Sequence, residues 1–322
     1  MRLLRKALTF FALLALGAIF WPLGAAAETV LRVGDQKGNA RAVMEAAGAL
    51  DALLYRVEWS EFPAAAPLLE AANGGAIDAG TVGDAPFTFA AAAGAPIKAI
   101  VATRSGMQGL AVVVRGDSSV QSFRDLIGKK IGTGRGSIGH QLVLAQLEVN
   151  GLKPSDVQLT FLLPSDAAVA LKTGAIDAWS TWDPYTAQLE VSQGCRRVAD
   201  GVGLMPGLGF FFARDDALAN ADKRAALRDF AARLTRARRW GLAHLDAYAR
   251  AWSQIVGLPS EIGEKVSARA QARAVPIDDS VIADEQKTID LYVHAGLIPK
   301  RIDAATIVSP IFTGAISAEL NP

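Results

Sequence analysis

The segment GTGRGSIGH, residues 132–140, has the residue types that hold an anion. Its glycines allow a close approach of the backbone, and Ser137 adds a hydroxyl donor. The segment follows an apolar run and precedes a helix-forming one, so free N–H groups would point out of a helix start. A tight strand-to-helix turn with Ser137 as its N-cap is the alternative interpretation. The residue types alone leave both open.

Two enzymatic interpretations of this segment lack a required residue. Its G-x-G-x-x-G spacing is typical of dinucleotide binding, but the next predicted strand ends in Pro164-Ser165 where an acidic residue should hold the ribose. A nucleophile elbow needs Gly two residues before Ser137, and Arg135 stands there. The three histidines are not at metal-ligand spacing. We therefore expect no catalytic residue, no cofactor and no metal.

Two aspartates, Asp84 in VGDAPF and Asp183 in STWDPY, each end a short apolar run just before a Pro. An Asp in this context caps a helix start, although two carboxylates in one cleft could also perform acid–base chemistry. The same local context explains each Asp without the other, which favours the scaffold role. The expected ligand contacts are their neighbours, namely Thr81, Gly83, the Ala85 amide, Thr181 and the ring of Trp182.

The elements that would position these loops occur twice. Strands over 30–34, 56–62 and 76–82 alternate with helices over 39–55 and 65–73. About 100 residues later the same order returns, with strands over 130–134, 157–163 and 175–181 and helices over 138–150 and 166–173. Both copies contain the pentapeptide GAIDA. The repeat predicts an α/β fold with two doubly wound lobes and loops that face a common cleft.

Two further apolar stretches would join the lobes. Residues 109–120 resemble a strand that crosses from the first lobe to the second, and residues 203–216 resemble the return. This predicts a first lobe of residues 28–112 and 208–322 and a second lobe of residues 113–207. The last third is helical, with one helix over 222–256 whose arginines form a solvated face.

The N-terminus and the composition indicate an exported protein. Residues 1–27 carry basic residues, an apolar run and three closing alanines, which is typical of a cleaved signal peptide and less so of a membrane anchor. Removal of Arg2, Arg5 and Lys6, with no acidic residue, changes the formal net charge from +1 to −2. Nucleic acid is therefore not an expected partner. Cys195 stands alone, so no internal disulfide can form.

The motifs GDQKG, EFPAAAP, VGDAP, GRGSIGH, STWDPY and GLIPKRID resemble the periplasmic aliphatic sulfonate-binding proteins of ABC importers, over residues 30 to 312. The resemblance implies a type II periplasmic binding fold, a soluble monomer in the periplasm, and delivery of an organosulfonate to an ABC permease. It implies capture by neutral backbone and hydroxyl donors. The implied ligand-binding residues are Gln36, Gly83, Asp84, Ala85, Gln108, Gly109, Gly136, Ser137, Ile138, Thr181 and Trp182.

Other ligands and an enzymatic role stay open at this stage. Taurine carries an ammonium group, so its site should offer a carboxylate that is free of capping duty. Nitrate needs a smaller pocket than one walled by Trp182. An enzyme on the same fold would need a base at the cleft, and His140 alone lies near it in the sequence.

Overall fold

The computed structural model describes residues 28–320. The predicted signal peptide, residues 1–27, lies outside the described residues. Two β-sheets with helices on their faces form two lobes. The strands, in chain order, are β1 Val30–Gln36, β2 Arg56–Phe62, β3 Ala79–Gly83, β4 Ile97–Arg104, β5 Ala111–Val114, β6 Lys130–Thr133, β7 Gln158–Phe161, β8 Ala178–Thr181, β9 Arg196–Asp200, β10 Leu208–Arg214 and β11 Arg273–Val275.

The helices complete both lobes. In chain order they are α1 Ala40–Ala46, α2 Ala65–Asn73, α3 Asp84–Ala92, α4 Ile138–Val149, α5 Pro164–Thr173, α6 Tyr185–Gln193, α7 Asp215–Ala219, α8 Ala221–Ala243, α9 Leu245–Val256, α10 Ser260–Ala270, α11 Asp279–His294 and α12 Thr313–Leu320. Within the described range 28–320, no helix is both long enough and apolar enough to cross a membrane.

The two sheets have the same topology. The first has the order β11-β4-β10-β3-β1-β2 and the second the order β7-β6-β8-β5-β9. In the first, β1 is parallel to β2 and β3, and β10 is antiparallel to β3 and β4. In the second, β6 is parallel to β7 and β8, and β5 is antiparallel to β8 and β9. Each sheet thus takes one antiparallel strand that has just crossed from the other lobe. The predicted α/β fold of two doubly wound lobes and two crossings is confirmed.

The crossings are short. Residues 105–110 join β4 to β5, and residues 201–207 join β9 to β10. The predicted lobe boundary after residue 112 falls inside β5, whose four residues all pair within the second sheet. The strand predicted over 109–120 is accordingly limited to Ala111–Val114.

The repeated isoleucine of GAIDA fills the same space in both lobes. A Cβ built on Gly34 of β1 would stand 2.5 Å from Ile77 Cδ1, and one built on Gly132 of β6 would stand 2.5 Å from Ile176 Cδ1. In each lobe, therefore, the isoleucine packs over a strand residue that has no side chain. This packing is one physical cause of the repeat.

The repeated aspartate of GAIDA also has one role in both lobes. Asp78 Oδ2 accepts a hydrogen bond of 3.0 Å from the Arg32 N–H, and Asp177 Oδ2 accepts one of 2.8 Å from the Lys130 N–H. Each carboxylate thereby satisfies a backbone donor of the neighbouring parallel strand. The repeat reflects the scaffold, as the sequence predicts.

The apolar core lies on both faces of each sheet. Alternate residues of β10 face opposite sides, so Phe210 and Phe212 pack under α2, α3 and α11, whereas Phe211 packs under α1, α8 and α12. Helices α8, α11 and α12 therefore cover the first sheet, and β11 adds a strand to its edge.

Two predicted helices differ from the structure. The helix predicted over 39–55 ends at Ala46, because Gly48 and Ala52 adopt positive φ values of 62° and 51° and turn the chain. The helix predicted over 222–256 is broken at His244, whose φ of −133° and ψ of 51° are not helical. The break lets α9 turn and bury its apolar face against α1 and α10.

Candidate ligand-binding site

A cavity of about 270 Å³ lies between the lobes. Its walls come from the ends of β1 and β3 in the first lobe and from the loops after β6 and β8 in the second. This is the edge of the sheets where ligands bind in doubly wound folds, because the parallel strands end there and lead into helix N-termini.

Seven of the predicted ligand-binding residues line this cavity. They are Gln36, Thr81, Gly83, Gly109, Ser137, Ile138 and Trp182. The other five are not part of the cavity wall. They are Asp84, Ala85, Gln108, Gly136 and Thr181.

Asp84 and Ala85 already have hydrogen-bond partners within the first lobe. The Ala85 N–H donates to Asp84 Oδ1 at 2.8 Å, and Asp84 Oδ2 accepts from Thr288 of α11 at 3.0 Å. Both residues are buried, and burial raises the pKa of Asp84 to about 6. The Ala85 amide, predicted as a ligand donor, is therefore engaged by its own helix start.

The other three residues outside the wall have simple positions. Gln108 is exposed on the first crossing. Gly136 is buried beneath the Phe89 ring with a φ of +69°, a conformation that favours glycine. Thr181 is fully buried at the end of β8, where it pairs with Ala111.

One helix start from each lobe reaches the cavity. Gly83 is the N-cap of α3 and Ser137 is the N-cap of α4, and both residues line the wall. The first-turn N–H groups of a helix have no partner within it, and they carry the positive end of its dipole. Ser137 Oγ accepts from the His140 N–H at 3.2 Å. Ser137 is thus a helix cap as well as a residue of the cavity wall, which combines the two interpretations of its loop.

Asp183 lies in the wall, and one of its carboxylate oxygens already has polar partners. Its Oδ1 accepts from the Ala187 N–H at 3.0 Å and lies 3.5 Å from Arg269 Nη1. Its Oδ2 is buried beside Gly109 and has no hydrogen-bond partner among the described residues. Burial raises the pKa of Asp183 to about 6.

Two arginines of the C-terminal helices line the cavity, and the sequence did not point to either. Arg269 of α10 donates to Glu190 Oε2 at 2.5 Å, and Arg238 of α8 donates to Asn39 Oδ1 at 3.0 Å. The sequence predicts a solvated face for the arginines of residues 222–256. That prediction is wrong for Arg238, which lines the cavity. No local signal marks either arginine, because both lie inside helices far along the chain from the ligand loops.

The wall also contains apolar and aromatic groups. The Trp182 ring meets the Tyr185 ring edge to face at a centroid distance of 6.0 Å. The Tyr185 hydroxyl donates to the Pro63 carbonyl across the lobes at 2.9 Å. Leu110 and Ile138 also line the cavity. The cavity is therefore amphipathic, because its wall contains both polar donors and apolar groups.

His140 and Cys195 lie away from the cavity. His140 is 1% exposed, its Nδ1 accepts from the Gly136 N–H at 3.2 Å, and its ring packs on Phe161. Burial lowers the pKa of His140 to about 4, so the ring is neutral at physiological pH. Cys195 is buried in the second lobe against α5 and α6. Neither group is placed to act on a ligand.

The fold and the cavity between its lobes define a two-lobed binding protein of the periplasmic type. The profile of the family described as NMT1/THI5 like matches residues 61–244. The chain belongs to this family.

Two relatives resemble the chain over nearly its whole length. An Escherichia coli (strain K12) protein named as an aliphatic sulfonates-binding protein is 33% identical over 278 residues, which cover 85% of this chain and 86% of that one. The solved alkanesulfonate-binding protein SsuA from Xanthomonas axonopodis pv. citri, bound to MOPS, superposes with a TM-score of 0.79 at 31% identity, covering 88% and 99% of the two chains.

A desulfurization enzyme, DSZB, has the same fold. Its structure superposes with a TM-score of 0.66 at 17% identity over 91% of this chain and 99% of that one. At this level of identity the similarity extends to the fold alone.

Proposed function

We propose that the protein captures aliphatic sulfonates between its lobes in the periplasm and delivers them to the permease of an ABC importer. The names of the relatives support this function. MOPS, the ligand of the Xanthomonas structure, is itself an alkanesulfonate with a bulky substituent. The signal peptide and the monomeric state predicted from the sequence belong to this proposal.

The amphipathic cavity is the observation that carries the proposal. A sulfonate is ionised at any physiological pH and presents three acceptor oxygens, so its site needs donors and no base. The first turn of α4 after Ser137 supplies N–H groups, and Lys37, Arg238 and Arg269 supply charge. The sequence predicted neutral donors alone; the two arginines add charged ones. The apolar wall around Trp182 suits a carbon tail.

The expected affinity follows from the number of such contacts. Hydrogen bonds to a charged group contribute roughly 1.5 to 3 kcal/mol each. Four or five of them, less the cost of bringing the lobes together, give on the order of −8 kcal/mol, which corresponds to a micromolar Kd. This range suits a protein that collects a scarce nutrient.

The same cavity disfavours the two alternative ligands. Nitrate is much smaller than a cavity of about 270 Å³ walled by aromatic rings. Taurine needs a carboxylate for its ammonium group. Although Asp183 Oδ2 has no partner among the described residues, the Asp183 carboxylate is already engaged through Oδ1 by the Ala187 N–H and by Arg269. The arrangement therefore favours a sulfonate with an uncharged tail.

We propose a binding role and no catalysis. The described residues that line the cavity include neither histidine nor cysteine, and the buried His140 is engaged by its own loop. The fold shared with a desulfurization enzyme does not by itself place a histidine or a cysteine in this wall.

The test is a thermal-shift series on residues 28–322. A ligand that binds only the native state raises Tm in step with its affinity. We expect butanesulfonate or octanesulfonate to give the largest rise among methanesulfonate, the two longer sulfonates, taurine, nitrate and sulfate. A largest rise with nitrate or sulfate would contradict the proposal. Recovery of a chemically altered sulfonate after incubation would show an enzyme instead.

A further inference from the structure

An ionic bridge between α6 and α10 lies behind the cavity wall. Glu190 Oε2 accepts from Arg269 Nη2 at 2.5 Å and lies 3.1 Å from Lys265 Nζ. The side chains of Glu190 and Arg269 are only 12% and 15% exposed. Arg197 Nε lies 4.0 Å from the other Glu190 oxygen. Although burial raises the pKa of Glu190, the bonds from Arg269 and Lys265 hold it below its ordinary value, so the carboxylate is charged.

The two sides of this bridge belong to different lobes. Helix α10 packs along α9, and α9 packs on α1 of the first lobe, where Trp252 Nε1 donates to the Gly38 carbonyl at 2.7 Å. Glu190 lies in α6, which follows β8 of the second sheet. Helix α10 also packs on Ala187 of α6, so Arg269 lies where the lobes meet: α9 holds its helix to the first lobe, and Glu190 belongs to the second.

Arg269 reaches the cavity, and Glu190 does not. Nη2 of the guanidinium is held by Glu190. Nη1 lies 3.5 Å from Asp183 Oδ1 and finds no hydrogen-bond partner within the described part of the chain. Glu190 thus fixes Nη2 from behind the wall, while Nη1 remains able to donate to a further acceptor. Without Glu190, a long and flexible arginine side chain would be free to leave the wall.

We propose that Glu190 is a positioning residue for anion binding, which holds the Arg269 guanidinium in the cavity wall only when the two lobes are together. The inference rests on the proposed function, since it assumes an anionic ligand. Glu190 lies outside the cavity and affects the affinity for the ligand through Arg269. Because this bridge joins the lobes, Arg269 takes its position in the cavity wall at the same time as the lobes close.

The test is a double-mutant cycle measured by calorimetry with butanesulfonate. We expect Glu190→Gln to weaken binding about tenfold, because it removes the charge of a buried ion pair. In an Arg269→Gln background the same change should have little further effect. Glu264→Gln, which removes an exposed carboxylate from α10, should bind like the wild type.

Three outcomes separate the interpretations. Unchanged affinity of Glu190→Gln would overturn the inference while leaving the proposed function intact. An equal loss with and without Arg269 would show that Glu190 acts on the fold instead. A wild-type protein that binds no sulfonate would end both proposals. Should Glu190→Gln fail to fold, Glu190→Asp keeps the charge but shortens its reach, and an unchanged Kd for that variant would also overturn the inference.

Discussion

Gly83 of the first lobe and Ile138 of the second lie so close that a Cβ on Gly83 would stand 2.6 Å from Ile138 Cγ2. Both residues line the cavity, and each stands at the start of a helix that points toward it. The absence of a side chain at Gly83 thus sets how closely the two helix starts approach. For a sulfonate bound as proposed, the distance between the lobes at this point would set how many donors it meets.

Gly83→Ala should weaken sulfonate binding about tenfold by separating the helix starts, since overpacking a close contact costs about 1 to 3 kcal/mol. Calorimetry of the variant measures the loss. Gly83→Ala combined with Ile138→Ala removes the clash and should recover much of the affinity that the methyl group costs. If the single variant bound as the wild type does, the contact would have no part in binding.

Trp182→Ala should weaken octanesulfonate about tenfold and methanesulfonate much less, because the ring offers apolar surface to a tail and none to the head group. The ratio of the two Kd values is the measurement. Trp182→Phe is the matched control, since it keeps an aromatic face. Equal losses for the two ligands would remove the ring from the tail-binding surface.

Gly34→Ala and Gly132→Ala should each lower the free energy of unfolding by about 1 to 3 kcal/mol, because each added methyl group meets an isoleucine Cδ1 at 2.5 Å. Chemical denaturation measures the change. Ile176→Val removes Cδ1 and should rescue Gly132→Ala. Ile77→Val should rescue Gly34→Ala less completely, because Leu68 Cγ also lies 3.0 Å from the added group. Additive losses would contradict the repeated packing.

Stability should depend on pH through Glu285, which is fully buried beside Asp84 and accepts a hydrogen bond from Thr88. Burial, followed by the charge of Asp84, raises the pKa of Glu285 well above its ordinary value. The folded state therefore binds this proton more tightly than the unfolded state. The stability that this protonated carboxyl contributes is complete below its pKa of about 4.3 in the unfolded state. It is lost as the pH rises through the pKa of the folded state.

Glu285→Gln tests this dependence, because the amide stays neutral at every pH. Relative to the wild type, the variant should gain stability as the pH rises from 4 to 8 in urea denaturation. Glu264→Gln, at an exposed position, should follow the wild-type profile. Parallel profiles for Glu285→Gln and the wild type would show that the buried carboxyl does not titrate in this range.

Much of the fold could be predicted because its signals are local. Strand and helix periodicities lie within each segment, and β2 and α2 have the bounds that the sequence predicts. The repeat of GAIDA predicted two equivalent sheets. The prediction holds because the same residues pack in the same way in each sheet. The breaks at Gly48 and His244 were missed, because helical periodicity continues across both positions.

The site was predictable only in part. The loops around Gly83, Ser137 and Trp182 follow from the topology, because parallel strands place their carboxyl ends at one edge. The topology does not predict which group of a loop faces the cavity. The Ala85 N–H, for example, donates to Asp84 instead of facing the cavity.

The sequence by itself determined the two lobes and the edge at which they meet, since these depend on neighbours in the chain. Only the tertiary structure decided that Arg238 and Arg269 stand in the wall and that Glu190 bridges the lobes behind it. The physical reason is that the facing of a helical side chain depends on how whole helices pack. Residues in α6 and α10, 79 positions apart, meet only after both lobes have formed.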